Sequence, residues 1–407
     1  MRIDHYFAVA IYPALLVLLV YITPLYGDPA VVFWTGKVMH ETGFAYDPVC
    51  TKNQAQLCVR APLYYSILAT TRNWYWIAQA TILLLFIYLQ LRLTRLLSIN
   101  SSVFGLMVPP VYLLFSRTYV DSLTALLSTC LLYSLVKHNS VSRLKKALFL
   151  ASPALLVLTR ETALILPLLF ALFALYVKET RWRTISVLLI SWATGLMAYL
   201  VYVLSSGGST YADFQPHVPS LAEAYRALMW IFTPILPWEI RVSDVESYLS
   251  YIFPTKNTGL SLFLTTLMGT FSYVIAVVFM IPLLLAVRRL KDLSGHFKAQ
   301  LVFGALAALG LLFLKGDIDY YRHLAYILPV MPSIASIGIQ ELRRKNKPLA
   351  TLFTIVAIAA FALYIARTAR SHLAGYEFDT CEYLSKRPEI SGIEFFRGTA
   401  CRADHTK

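Results

Sequence analysis

Eleven apolar runs divide this chain, at 7–25, 73–91, 101–116, 118–136, 147–159, 162–177, 184–204, 258–287, 299–314, 324–340 and 349–366, and Asp121 is the one charged residue inside any of them. A helix crossing the hydrocarbon core of a bilayer needs about 20 apolar residues, fewer where its ends open into a protein cavity. The runs predict an all-α polytopic membrane protein of about eleven transmembrane helices, since backbone amides in lipid must be satisfied within the helix. Composition agrees: 58% of the 407 residues are hydrophobic and 14% charged, against roughly 45–50% and about 25% in soluble domains. The net charge of +14 would suggest a nucleic-acid partner in a soluble chain, a class that this apolar content excludes. The first run continues into Pro24, Tyr26, Gly27 and Asp28 without a small-residue cleavage site, so it reads as a retained helix rather than a signal peptide. There is no internal repeat and no low-complexity segment.

Lysine and arginine in the short loops set the orientation. With the N-terminus cytoplasmic and the runs alternating, the inner segments carry 18 of the 36 Lys and Arg but only four of the 22 Asp and Glu. The rest of the chain is then neutral, and the entire excess faces the anionic cytoplasmic leaflet. The C-terminus falls outside and the protein in the cell membrane. Residues 1–366 form one transmembrane domain with long outer loops at 26–72 and 205–257, and 367–407 form a small outer tail. The 147–177 stretch is either two crossings or a re-entrant hairpin with its apex at Thr159-Arg160-Glu161.

The first outer loop contains Val31, Trp34 and Val38 on one helical face, with Lys37, His40 and Glu41 elsewhere, the pattern of a helix lying in the membrane interface. In the second, Ser220 and Glu223 form a capping-box pattern ahead of Leu221, Tyr225, Leu228 and Phe232 on one face. Four cysteines, Cys50, Cys58, Cys381 and Cys401, lie outside, and Cys130 lies in a run. An oxidising compartment favours disulfides among the four, with three possible pairings. Nearest-neighbour pairing, 50–58 and 381–401, closes two local loops; a crossed pairing ties the tail to the first loop.

Charged residues at membrane helix ends are costly and mark function. On the outer side these are Asp28, Arg117, Asp121, Arg160, Glu161 and the Lys315–Arg322 loop, one cluster on one leaflet. Arginines suit the phosphate of a lipid headgroup, and a carboxylate can take the proton of an acceptor hydroxyl. Each residue also has a plainer reading. Asp28 can serve as a helix stop between Gly27 and Pro29. Asp121 can pair with Arg117 four positions away, and Arg160 with Glu161. Asp317 and Asp319 fit an exposed turn better than a metal pair, and His40 and Glu41 fit the wet face of the interfacial helix.

The stretch Gly27-Asp28-Pro29 through Glu41-Thr42-Gly43 resembles the first outer loop of the GT-C superfamily of integral-membrane glycosyltransferases, where an acid after the first helix precedes an interfacial helix ending in Thr-Gly. Arg60-Ala61-Pro62-Leu63-Tyr64-Tyr65 resembles the Pro-Pro-Leu-Tyr-Tyr element before their second helix. Ser116-Arg117-Thr118-Tyr119-Val120-Asp121 is similar to the arginine-to-aspartate turn of the protein O-mannosyltransferase and aminoarabinose-transferase branch, family 39. Leu158-Thr159-Arg160-Glu161 stands where that branch has Leu-Thr-Lys, and Tyr321-Arg322-His323 with Leu328-Pro329 is similar to its Arg-Tyr-Leu-Leu-Pro element. The resemblance spans about residues 1–345. It departs from the family in a lone Asp28 where many members have an acidic pair, in Arg160 for lysine, and in a tail that matches no accessory domain.

The resemblance implies transfer of a sugar from a polyprenyl-phosphate donor, usually with inversion, at an outer-face site. Asp28 would then be the general base, Asp121 a second catalytic or metal-contacting acid, and Arg117, Arg160, Glu161, Tyr321 and Arg322 the substrate-binding residues. A divalent metal is compatible with this set but not required by it. The partners are the lipid-phosphate sugar, membrane lipids and an acceptor glycan, lipid or protein. The competing classes are a transporter or flippase for a lipid-linked sugar, and a non-catalytic membrane subunit. Repeated halves, the usual mark of a transporter, are missing.

Overall fold

The computed structural model of the chain describes residues 11–23, 28–47, 58–97, 103–136, 143–160, 182–210, 220–233, 258–315 and 324–373, with short pieces at 163, 166–168 and 171. The first helices are α1 (Tyr12–Ile22), α2 (Asp28–Thr42), α3 (Pro62–Thr71) and α4 (Tyr75–Leu96). They are followed by α5 (Val103–Leu106), α6 (Pro109–Phe115), α7 (Val120–Leu135), α8 (Arg143–Thr159) and α9 (Trp182–Ser206). The last five are α10 (Leu221–Phe232), α11 (Thr258–Val287), α12 (Gly295–Lys315), α13 (Met331–Lys345) and α14 (Lys347–Leu373). Two short strands, β1 (Cys58–Val59) and β2 (Ser209–Thr210), pair in parallel.

Helix directions follow from side-chain contacts. Gln79 of α4 meets Ser122 of α7, and Gln90 meets Thr129, so α4 and α7 run parallel. Asp121 at the start of α7 meets Arg160 beyond the end of α8, so these two are antiparallel. Ser191 donates to the Leu150 carbonyl at 2.5 Å, and Gly195 lies against Ala154, so α8 and α9 are parallel. The stacked edge of Tyr21 on Trp76, ring centroids 5.3 Å apart, brings the end of α1 to the start of α4. One end of the bundle, the upper end here, thus holds Ile22, Tyr75, Val120, Thr159 and Ser206. At the lower end Leu93, Val136, Ala286, Phe297, Ile334 and Ile337 form one buried cluster. Arg92, Arg95, Arg143, Arg183, Arg289, Lys298, Arg344 and Lys347 all belong to helix ends there. Among them Glu341 accepts from Arg289 at 3.0 Å and Arg344 at 2.7 Å.

The interior is built around α7, where every residue except Tyr133 is buried. A helix enclosed on all sides needs no polar face, and its Ser and Thr hydroxyls turn back to backbone carbonyls, as Thr129 does to Ala125 at 2.8 Å. By contrast α9 leaves Ile190 and Leu204 exposed, and α14 leaves Leu352 and Ile355 exposed. Four stretches are long and apolar enough to cross a membrane: Pro62–Leu96, Trp182–Ser206, Gly269–Val287 and Lys347–Ala366. Tyr12–Ile22, Val120–Leu135 and Lys146–Thr159 are apolar but shorter. The described residues therefore present an all-α membrane architecture in which four helices have membrane-crossing length and composition.

Two runs differ from their expected form. The 101–116 run is two buried helices, α5 and α6, because Val108 precedes Pro109 and is driven into extended backbone (φ −57°, ψ 131°). In the 324–340 run residues 324–326 form a short 3₁₀ helix and 327–330 are turns, and α-helix begins only at Met331, with Pro332 in its first turn. The 147–177 hairpin is clarified in part. Val157 near the end of α8 packs with Tyr199 and Val203 near the end of α9, so Thr159 reaches the upper end rather than stopping midway. Most of 162–177 lies outside the described residues, as do 211–219, 234–257 and the 374–407 tail.

Candidate functional site

Helix α2 starts at Asp28 and ends at Thr42, whose hydroxyl donates to the Val38 carbonyl at 2.9 Å; Gly43 then turns the chain with φ +80°. Trp34 and Val38 are buried while His40 and Glu41 are exposed, as the amphipathic pattern predicts. The face toward α3 is so close that a Cβ on Gly36 would lie 2.6 Å from the Leu68 Cβ. The side chain of Asp28 is not among those described, but its backbone opens this helix at the upper end.

The central feature of the site is an ion pair. Asp121 lies in the first turn of α7, after Tyr119 in extended conformation, and its carboxylate is fully buried. It pairs with the Arg160 guanidinium, whose side chain is 11% exposed. The i,i+4 argument for Arg117 and Asp121 does not apply, because Arg117 precedes the helix in a bend. Arg160 reaches Asp121 because antiparallel packing sets the end of α8 against the start of α7. Glu161, Tyr321 and Arg322 lie outside the described residues, as do Asp317 and Asp319.

The turn that carries Arg117 is held from three directions. Gln79, 1% exposed, donates to the Phe115 carbonyl at 3.0 Å and accepts from the Tyr64 hydroxyl at 2.9 Å. The Ser122 hydroxyl lies 3.2 Å from the same Gln79 oxygen and 2.7 Å from the Tyr119 carbonyl, one proton between two acceptors. The Ser116 hydroxyl lies 3.1 Å from that of Tyr364 on α14. A buried glutamine amide that both donates and accepts in this way ties the turn backbone to α3 and α7. Its sequence signal was faint: one amide in an apolar run.

A second pair roofs the first. The Arg60 Nε donates to Asp47 Oδ2 at 2.5 Å, with side-chain exposures of 20% and 4%. Tyr46 bridges Val59, Asp47 N–H donates to the Cys58 carbonyl at 2.9 Å, and β1 pairs with β2. The Ala45 N–H donates to the Tyr202 hydroxyl at 2.7 Å, and the Tyr46 hydroxyl to the Ser206 carbonyl at 2.9 Å. Burial raises the Tyr46 hydroxyl above its ordinary pKa and keeps it a donor. Ala61 packs with Val157, Tyr199 and Val203, so Arg60 stands beside the end of α8 that leads to Arg160. Nothing in the sequence marked Asp47, one acid among many polar loop residues.

No family model, curated protein or solved structure matches the chain. Among the described residues no group of three or more His, Cys, Asp and Glu is arranged to hold a metal ion. Cys58 is disulfide-bonded and Cys130 is a buried free thiol, and Cys50, Cys381 and Cys401 lie outside the described residues. The arrangement offers fixed cations at one end of an apolar bundle, each held by a buried carboxylate. Such a set can bind an anion without reorganising as charge develops. In α10, among the described side chains, Leu221 is 89% exposed, while Phe232 of the expected face and Met229 both pack against the bundle.

Proposed function

We propose that the chain is a membrane glycosyltransferase, moving a sugar from a polyprenyl-phosphate donor to an acceptor hydroxyl at the upper end of the bundle, which faces the outside. The observation that carries this reading is the buried Asp121–Arg160 pair, with Arg60–Asp47 beside it, at the upper end of an otherwise apolar bundle. Charge at such a position is costly and is kept where a charged substrate must be met. A guanidinium has five donors, enough in number for one side chain to hold a carboxylate and meet a phosphate. Arg117 and Arg322 would complete the phosphate site, with Glu161 and Tyr321 near the sugar.

In the proposed step the acceptor oxygen forms a bond to the anomeric carbon as the bond from that carbon to the phosphate oxygen breaks. Asp28 takes the acceptor's proton, and the polyprenyl phosphate departs with the bonding electrons. The arginines stabilise the charge gathering on the leaving phosphate. Asp121 orients Arg160 or contacts substrate directly. The start of α2 at Asp28, directly after the first helix, and its end at Thr42-Gly43 support the resemblance. The basic lower end supports a cytoplasmic N-terminus.

Purified protein incubated with a panel of polyprenyl-phosphate sugars should release free polyprenyl phosphate from one of them. Asp28→Asn should abolish turnover while leaving donor binding intact. Vectorial movement of one donor without release would instead assign transport, and normal function of Asp28→Asn would remove the base assignment.

A further inference from the structure

The junction between α3 and α4 contains the one non-glycine residue with positive φ among the described residues, Arg72, at φ 49° and ψ −122°. Backbone in this region is suited to glycine and is strained for a residue with a Cβ. The chain places there a long cationic side chain that is exposed, and its Nη2 lies 2.5 Å from His40 Nε2 in the last turn of α2. Arginine is always a donor, so the His40 ring accepts here and carries its proton on Nδ1.

Two further contacts bring α2 to the same spot. The Phe33 and Tyr75 rings lie 4.9 Å apart, and Lys37 Nζ stands 5.1 Å over the Phe33 ring instead of reaching Glu41 on the next turn. Half-buried Lys37 and the exposed His40 and Arg72 therefore form one basic patch at the upper end. Trp74, just before α4, and Ile77, Leu84 and Tyr88 on one face of α4 are all exposed, within a stretch long enough to cross a membrane. A cationic patch at the head of an apolar stripe matches a molecule with an anionic head and hydrocarbon tails. A soluble phosphate would use the patch and leave the stripe idle.

We propose that Arg72, with Lys37 and His40, binds the phosphate of an anionic phospholipid whose acyl chains lie along the exposed face of α4. This site is separate from the Asp121–Arg160 pair and does not depend on the glycosyltransferase reading. Arg72 makes the charge-assisted contact, His40 holds it toward the lipid, and Trp74 lies at headgroup depth where an indole is favoured.

The test uses the full chain with Asn73→Cys carrying a bimane fluorophore, reconstituted in phosphatidylcholine vesicles. Acyl-brominated phosphatidylglycerol should quench the probe at a mole fraction at least about tenfold below that needed with brominated phosphatidylcholine, the difference one charge-assisted bond supplies. Arg72→Gln should remove the preference. So should Arg72→Gly, which suits the backbone and should unfold no earlier than the parent, so that loss of the preference cannot come from misfolding. Equal quenching by the two lipids in the parent, or a preference surviving in Arg72→Gly, overturns the proposal. Loss of the preference in millimolar inorganic phosphate assigns the patch to a soluble anion and overturns the lipid assignment.

Discussion

Asp121 is fully buried and pairs with the Arg160 guanidinium, so the loss of that partner is costly. Arg160→Ala takes a countercharge from a buried carboxylate, and breaking a buried pair costs about 3–5 kcal/mol. The expected outcome is a large fall in the thermal midpoint of the detergent-solubilised protein, with Asp121→Asn a smaller loss because the amide remains a hydrogen-bond acceptor. Asp121→Leu with Arg160→Met, which removes both charges, should recover much of that stability and none of the donor binding. Arg160→Lys should recover only part of the binding, since lysine lacks the planar fork. That Asp121 mattered was legible from the sequence, because a charge inside an apolar run is rare. That Arg160 meets it was not, since only the antiparallel setting of α7 and α8 brings the two together. Asp47 and Gln79 were invisible for the same reason, since their partners Arg60 and Tyr64 are chosen by tertiary contact.

The helices themselves were mostly legible, since apolar length and proline positions act locally. Where expectation and structure part, a proline sequence is the cause, as at Val108-Pro109-Pro110. Packing between elements was not legible, and the glycines show why. A Cβ on Gly195 would lie 2.6 Å from the Ala154 backbone, so the spacing of the parallel pair α8 and α9 depends on a missing side chain. Gly269 in α11 has nothing within 4 Å of the same position. Gly195→Ala should therefore lower the unfolding midpoint, while Gly269→Ala should hold or raise it by the helix-propensity gain of about 1 kcal/mol. Thermal melts of the two variants beside the parent check both signs.

At the scale of the whole molecule the lower helix ends are rich in Lys and Arg, and the proposed topology turns on that face. A cysteine replacing Glu41, exposed at the upper end, should react with an impermeant maleimide on intact cells; one replacing Lys291, by the end of α11, should react only after permeabilisation. The reverse pattern would invert the topology. Non-reducing peptide mapping should join Cys58 to Cys50, and a link to Cys381 or Cys401 would make the tail part of the roof. That roof also has a history. Its ties run from Ala45 to Tyr202 and from Tyr46 to Ser206, separations of 157 and 160 residues. At synthesis rates of about 5–20 residues per second, the first loop waits on the order of ten seconds for its partners to emerge. Cys58 is fully buried once they arrive, so its oxidation belongs to that interval, and a chain that closes its roof before meeting an oxidant would carry the thiol sealed inside.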